Sequence, residues 1–217
     1  MNFLQSSVGR KVLMAITGQL MVLFVVVHLL GNSTIFIGLI NSYAEHLHSL
    51  GPFVWVFRLI MLAMVLIHAY YGIQVTLENR AATPSKYAVT RQLKVSLASS
   101  SMIWTGLTLA AFIVYHLCHF TARVTPDVAA FAGQVPGDVN AMLMASFSHG
   151  LTVFIYVVAM LALCFHLFHG IQSFFQTMGW NNECSLPFFS KLGKTIAVIF
   201  LIGYSSIPVF ILAGILS

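Results

Sequence analysis

Six histidines lie within or at the ends of long apolar stretches: His28, His68, His116, His119, His166 and His169. An imidazole inside a membrane span is costly and marks a functional site by default; the ordinary alternative is a neutral ring hydrogen-bonded to a neighbouring helix. Neutral imidazole is also a standard haem ligand. Two such nitrogens on one iron leave no open position, which suits electron transfer and excludes substrate at the metal. The surroundings of these histidines repeat. Phe24-Val-Val-Val-His28-Leu resembles Phe112-Ile-Val-Tyr-His116-Leu, and His68-Ala-Tyr-Tyr-Gly72-Ile-Gln74 resembles His166-Leu-Phe-His-Gly170-Ile-Gln172. The repeat selects His116 over His119 and His166 over His169.

Other metal chemistry fits poorly. Carboxylate-bridged sites in helical bundles need Glu-x-x-His motifs, and the stretches around His116/His119 and His166/His169 carry no acid. The three cysteines, Cys118, Cys164 and Cys184, form no CxxC or CxxCH, which argues against zinc, covalently attached haem and a disulfide framework. His119 and His169 then read as polar groups at a haem edge or quinone pocket, or as satisfied interior histidines. Gly72 and Gly170 follow their histidines by four residues and Gly31 follows His28 by three, so each shares a helix face with a ring. A missing side chain there suits either a porphyrin approaching the backbone or close helix packing.

The elements that must position these groups are membrane helices. The 217-residue chain is 59% hydrophobic and only 7% charged, against about 25% charged in soluble domains, so the bilayer is its solvent. Five apolar segments reach the roughly 20 residues needed to cross it, near 12–33, 53–77, 95–118, 148–176 and 192–215. Breaks separate them at Gly51-Pro52, at Thr83-Pro84-Ser85, through Pro126, Gly133, Pro136 and Gly137, and at Asn181-Asn182-Glu183 with Pro187. The expected fold is an all-α membrane protein, one transmembrane domain over 1–217 made of a five-helix bundle. No cleavable signal peptide is expected, because the first apolar run follows Arg10-Lys11 and is too long for a signal core.

The pI near 9.3 reflects topology and not nucleic acid. Arg10, Lys11, Arg80, Lys86, Arg91, Lys94, Lys191 and Lys194 fall on one side, which the positive-inside rule makes cytoplasmic. The N-terminus is then inside and the C-terminus outside. Depth follows from a rise of ~1.5 Å per residue. His28 lies about 27 Å from Arg10 and His116 about 33 Å from Lys94, both toward the outer face. His68 lies about 15 Å before Glu78 and His166 about 15 Å before Gln176, both toward the inner face. Two level pairs result, His28 with His116 and His68 with His166, as two stacked bis-histidine haems b require.

At these residues the chain resembles the di-haem cytochrome b subunit of succinate:quinone oxidoreductases and quinol:fumarate reductases, and more narrowly its single-polypeptide, five-helix b558-type anchor. The likeness runs through Ser6-Ser-Val-Gly-Arg10-Lys11, Met14-Ala-Ile-Thr-Gly18, His28-Leu-Leu-Gly-Asn32, His68-Ala-Tyr-Tyr-Gly72, the Tyr-His116 step, and Phe165-His166 with Gly170 and Ser173-Phe174. It implies a bacterial cytoplasmic (inner) membrane complex with a flavoprotein carrying covalent FAD and an iron–sulfur subunit. The inner haem accepts electrons and the outer one relays them to a quinone, menaquinone or another, near the outer face. Dicarboxylate chemistry belongs to the partners, in keeping with the lack of any nucleophile or carboxylate constellation here. Glu45, His46 and His48 in the first outer loop, with His119, are the quinone-site candidates; a solvated polar loop is the plainer reading of each. Arg58 and Arg123 are placed for the outer haem propionates, and Arg10, Lys11 and Lys94 for the inner ones, although topology and phospholipid contacts explain the inner group equally well. Family members with a glutamate just before the fourth-helix ligand differ from this chain, which has Leu163, Cys164 and Phe165 there.

Two other readings stay open on the residues alone. One is a di-haem cytochrome b of a hydrogenase or formate dehydrogenase. The other is a haem-free transporter or scaffold with packing histidines. The direction of catalysis, and any further association of the complex, are not encoded in these residues.

Overall fold

The computed structural model describes residues 6–82, 97–134 and 137–217. The expected cations Lys86, Arg91 and Lys94, the Thr83-Pro84-Ser85 break and Pro136 lie outside the described residues. The elements are α1 (Ser7–Asn32), α2 (Ile40–Ser49), α3 (Pro52–Ala81), α4 (Leu97–Ser100), α5 (Met102–His116), α6 (Val139–Phe147), α7 (Gly150–Thr177) and α8 (Leu186–Leu212). A 3-10 turn, Ser33–Ile37, extends α1, and a π turn, Leu117–Thr121, extends α5. With those extensions α1, α3, α5, α7 and α8 are, among the described residues, the five helices long and apolar enough to cross a membrane. Among the described residues there is no strand.

Local chemistry sets the helix ends. α1 begins five residues before the expected position 12, because the Ser6 hydroxyl accepts the Gly9 N–H at 3.0 Å and caps the first turn. Pro187, expected as a break, instead sits in the first turn of α8, as Pro52 does in α3. A proline there lacks only an N–H that no helical carbonyl would have accepted. Two stretches expected as loop are helical. α2 buries Ile40 and Ala44, four apart on one face, and α6 buries Met142, Leu143, Ser146 and Phe147.

α1, α3, α5 and α7 form a box in which α1 packs on α3 and α7, α7 packs on α5, and the α3–α5 seam is the sparsest. α8 lies along α7 and makes the most extensive helix pair. Small residues on α8 allow close approach: a Cβ on Gly193 would lie 3.3 Å from Ile171 of α7, and one on Gly203 2.9 Å from Leu29 of α1. One apolar core gathers Ile35, Ile40, Phe147, Tyr156 and Ile207 at the end of the box away from the N-terminus. A second runs between α7 and α8 through Leu167, Ile171, Ala197 and Phe200 to Leu29. α3 and α5 contribute no buried residue, and their apolar faces cost nothing in hydrocarbon.

Candidate functional site: two levels of paired histidines

His28 and His68 project from the antiparallel α1 and α3, His116 and His166 from α5 and α7. The structure brings the His28 and His116 rings together with centroids 6.0 Å apart and planes at 88°. It brings His68 and His166 to 6.2 Å and 68°. One iron held by two imidazoles needs centroids about 6.2 Å apart, from ~2 Å per metal–nitrogen bond and ~1.1 Å from nitrogen to ring centre. Both pairs therefore have the separation that bis-histidine haem ligation demands.

On three of the four rings Nδ1 has a polar neighbour. His68 Nδ1 lies 2.9 Å from the Met14 carbonyl oxygen, so it carries the proton and donates. His166 Nδ1 lies 3.2 Å from Thr105 Oγ1, whose own proton goes to the Ser101 and Met102 carbonyls at 3.1 Å, leaving a lone pair to accept. His116 Nδ1 lies 3.1 Å from the Tyr156 hydroxyl. In a neutral imidazole a protonated Nδ1 leaves the Nε2 lone pair free for metal. On these three rings Nε2 has no hydrogen-bond partner among the described residues.

Two further glycines make room for the rings. A Cβ on Gly18 would stand 2.9 Å from His68 Cε1, and one on Gly106 3.4 Å from His166 Cε1. Gly31 is covered by the Tyr43 ring, Gly72 has Met14 Sδ at 3.7 Å, and Gly170 faces open space. Phe24 stacks on His28 at 5.3 Å and Phe112 tilts against His116 at 5.8 Å. Tyr204 of α8 reaches His28 at 6.1 Å and is anchored by its hydroxyl, which donates to the Val25 carbonyl at 2.7 Å.

Thr17-Gly18 lies in a motif of the family likeness that carries no assigned role, and motif reading does not single out Thr105-Gly106, Tyr156 or Tyr204. Part of that signal was present. Met14-Ala-Ile-Thr17-Gly18 matches Met102-Ile-Trp-Thr105-Gly106 at the same 88-residue offset that relates His28 to His116.

The remaining candidates stand as follows. Glu45 and His46 are exposed on α2, and His48 Nδ1 bonds within that helix to the Ala44 carbonyl at 2.8 Å. Arg58 lies over the Trp55 ring at 5.0 Å. Arg123, a non-glycine with φ of 54°, donates to the Phe131 and Gln134 carbonyls at 2.7 Å and so ties down its own loop. Arg10 pairs with Glu78 at 2.6 Å while its buried Nε has no partner among the described residues. His169 lines a cleft of ≈ 350 Å³ with Phe168, Gln172 and Lys194. His119 is fully buried, bonded to Tyr156, Ser146 and Asp127.

Comparison with known proteins gives one family. Residues 78–204 match the model of the succinate dehydrogenase/fumarate reductase transmembrane subunit. That stretch contains His116 and His166 of the two pairs and more than half of the chain. No curated protein and no solved structure gives a significant match. The chain therefore belongs to the succinate dehydrogenase/fumarate reductase transmembrane subunit family.

Proposed function

We propose that this chain is a di-haem cytochrome b, with an inner haem b on His68 and His166 and an outer haem b on His28 and His116, that relays electrons between an iron–sulfur subunit and a quinone, menaquinone being the leading choice. Family membership makes it the multi-pass membrane subunit of a succinate dehydrogenase or fumarate reductase, a complex that also has soluble subunits. The observation that carries the haem reading is the 6.0 and 6.2 Å separation of the two ring pairs. A hydrogenase- or formate-dehydrogenase-type cytochrome has no comparable support once the family is known.

Each bis-histidine haem, when bound, supplies a one-electron carrier with no iron position open to substrate. The protein's contribution is orientation. The Met14 carbonyl and the Thr105 hydroxyl fix the tautomer of the inner rings, and Gly18 and Gly106 admit them against α1 and α5. The unpartnered Nε of Arg10 suits an inner propionate. Lys11 and Lys94 are assigned to the same end, and Arg58 and Arg123 to the outer one. The positive end of the bundle is cytoplasmic, the whole chain is one transmembrane domain of the bacterial inner membrane, and the flavoprotein docks with the iron–sulfur subunit on that side. Glu45, His46 and His48 on α2, with His119 beneath, face the quinone's side of the membrane. Succinate and fumarate chemistry stays in the partners.

A reduced-minus-oxidised spectrum of the purified complex tests this. Two b-type components per chain are expected. His28→Ala or His116→Ala removes one of them, and His68→Ala or His166→Ala removes the other. A wild-type complex without a b-type band would end the haem reading, and loss of the same component from His28→Ala and His68→Ala would end the pairing.

A further inference from the structure

A row of hydrogen bonds leads from His116 to the surface loop after α5. His116 Nδ1 is 3.1 Å from the Tyr156 hydroxyl, which is 2.9 Å from His119 Nδ1. His119 Nε2 is 2.8 Å from Asp127 Oδ2, with Ser146 Oγ at 2.8 Å from the same nitrogen. His119 is wholly buried and the Asp127 side chain is 13% exposed, so water does little to screen the carboxylate. Burial alone would raise the Asp127 carboxyl, but the neighbouring Thr125 and the hydrogen-bonded His119 hold it below the ordinary aspartate range, and it is ionised at neutral pH.

We propose that Asp127, His119 and Tyr156 are positioning residues that act in series on His116, fixing its tautomer and lending it negative character so that the outer haem is held at a lower potential. The inference rests on the di-haem reading, because the direction of every bond follows from it. With Nε2 of His116 committed to iron, Nδ1 carries the proton and donates to the Tyr156 oxygen. Tyr156 then has one proton to give, and it goes to His119 Nδ1. His119 is thereby the Nε2–H tautomer, and its proton points at the Asp127 carboxylate. Tyr156 and His119 each donate once and accept once, and the series ends on the Asp127 carboxylate, which only accepts.

The inner rings lack this feature. His68 donates to a backbone carbonyl and His166 to a threonine hydroxyl, both neutral. A carboxylate at the end of the series raises the basicity of the outer ligand and favours the more positive oxidation state of its iron. Among the described residues, a hydrogen-bonded row to a carboxylate is seen from His116 and not from the two inner rings.

The test is potentiometry on the intact complex, following the two b-type components separately in wild type, Tyr156→Phe and Asp127→Asn. Tyr156→Phe is expected to keep both components and to move the one that His116→Ala abolishes to higher potential. The expected size is roughly tenfold in its reduction equilibrium, about 59 mV for one electron. Asp127→Asn should move the same component in the same direction by less. Unchanged potentials in both variants, or movement of the inner component instead, would overturn the proposal. If Tyr156→Phe loses the outer haem, Asp127→Asn decides. Loss of that haem from both variants would make the series a folding element and overturn the tuning role. Failure of the di-haem reading appears separately, as a wild-type complex lacking two components.

Discussion

Gly18 and Gly106 occupy matching places on α1 and α5, yet a methyl group at the two is not equivalent. At Gly18 it would fall 2.9 Å from the His68 ring, closer than side chains pack without displacement, whereas at Gly106 it would stand 3.4 Å from the His166 ring. Overpacking a fitted site costs about 1–3 kcal/mol, and here the side chain that must yield is His68, a ligand under the di-haem reading. Gly18→Ala is therefore expected to lose most of the inner component, and Gly106→Ala to retain it, with haem content per protein as the measurement. Equal retention in both would mean that the His68 ring has slack the structure does not reveal. At this scale the two close ring pairs were legible, because His28/His116 and His68/His166 sit in repeated surroundings within spans that tolerate few polar groups. Tyr156 was not legible. A tyrosine in an apolar run carries no pattern, and its meaning arises only when α7 brings it between His116 and His119 on α5.

Between elements, the far end of the bundle is held by a polar clasp that joins α2 to α6. Asp138 caps α6 by accepting the Ala141 N–H at 2.9 Å and also accepts Asn41 Nδ2 at 3.0 Å, while the Asn140 N–H donates back to Asn41 Oδ1 at 2.9 Å. The Ala141 N–H, with Asn41 next, holds the Asp138 carboxyl below the ordinary aspartate range. A carboxyl depressed in the folded state favours folding above its unfolded value, about 3.9, and loses that contribution as pH falls through the folded value. The clasp's protection of the α6 amides should thus be full and constant through the neutral range and fall only below about pH 4. Asp138→Ala should loosen α6 by about 1 kcal/mol at neutral pH. A break in protection near pH 6.5 would assign the effect to a histidine instead. Apolar run length located the five spans, but α2 and α6 escaped it. They are short, and α2 is half polar, so their helicity comes from packing against the bundle and not from their own periodicity.

Across the whole molecule the buried contacts are unequal. α7 buries eight residues and α8 six, whereas α3 and α5 bury none, and the seam between these two is the thinnest in the box. Burying apolar surface gains little in lipid, so a helix with no buried residue is held by van der Waals packing, which for α3 is against α1, and by polar ties and bound groups. For α3 the ties are the Arg10–Glu78 ion pair at one end and the His68–Met14 hydrogen bond within the span. Glu78 is 43% exposed, which leaves its pair with Arg10 worth well under ~1 kcal/mol. Under the di-haem reading the inner haem is the missing link, since it would fasten α3 to α7 through His68 and His166. A group that binds only the folded arrangement stabilises it in proportion to its occupancy. In membranes from cells starved of haem, hydrogen exchange over residues 62–76 of α3 should accelerate far more than over residues 155–171 of α7. His68→Ala in haem-replete cells should reproduce that pattern, since it removes the same fastening. Equal acceleration of both helices would mean that the bundle is held as one unit by its protein contacts alone, and that the thin α3–α5 seam is closed by something other than haem.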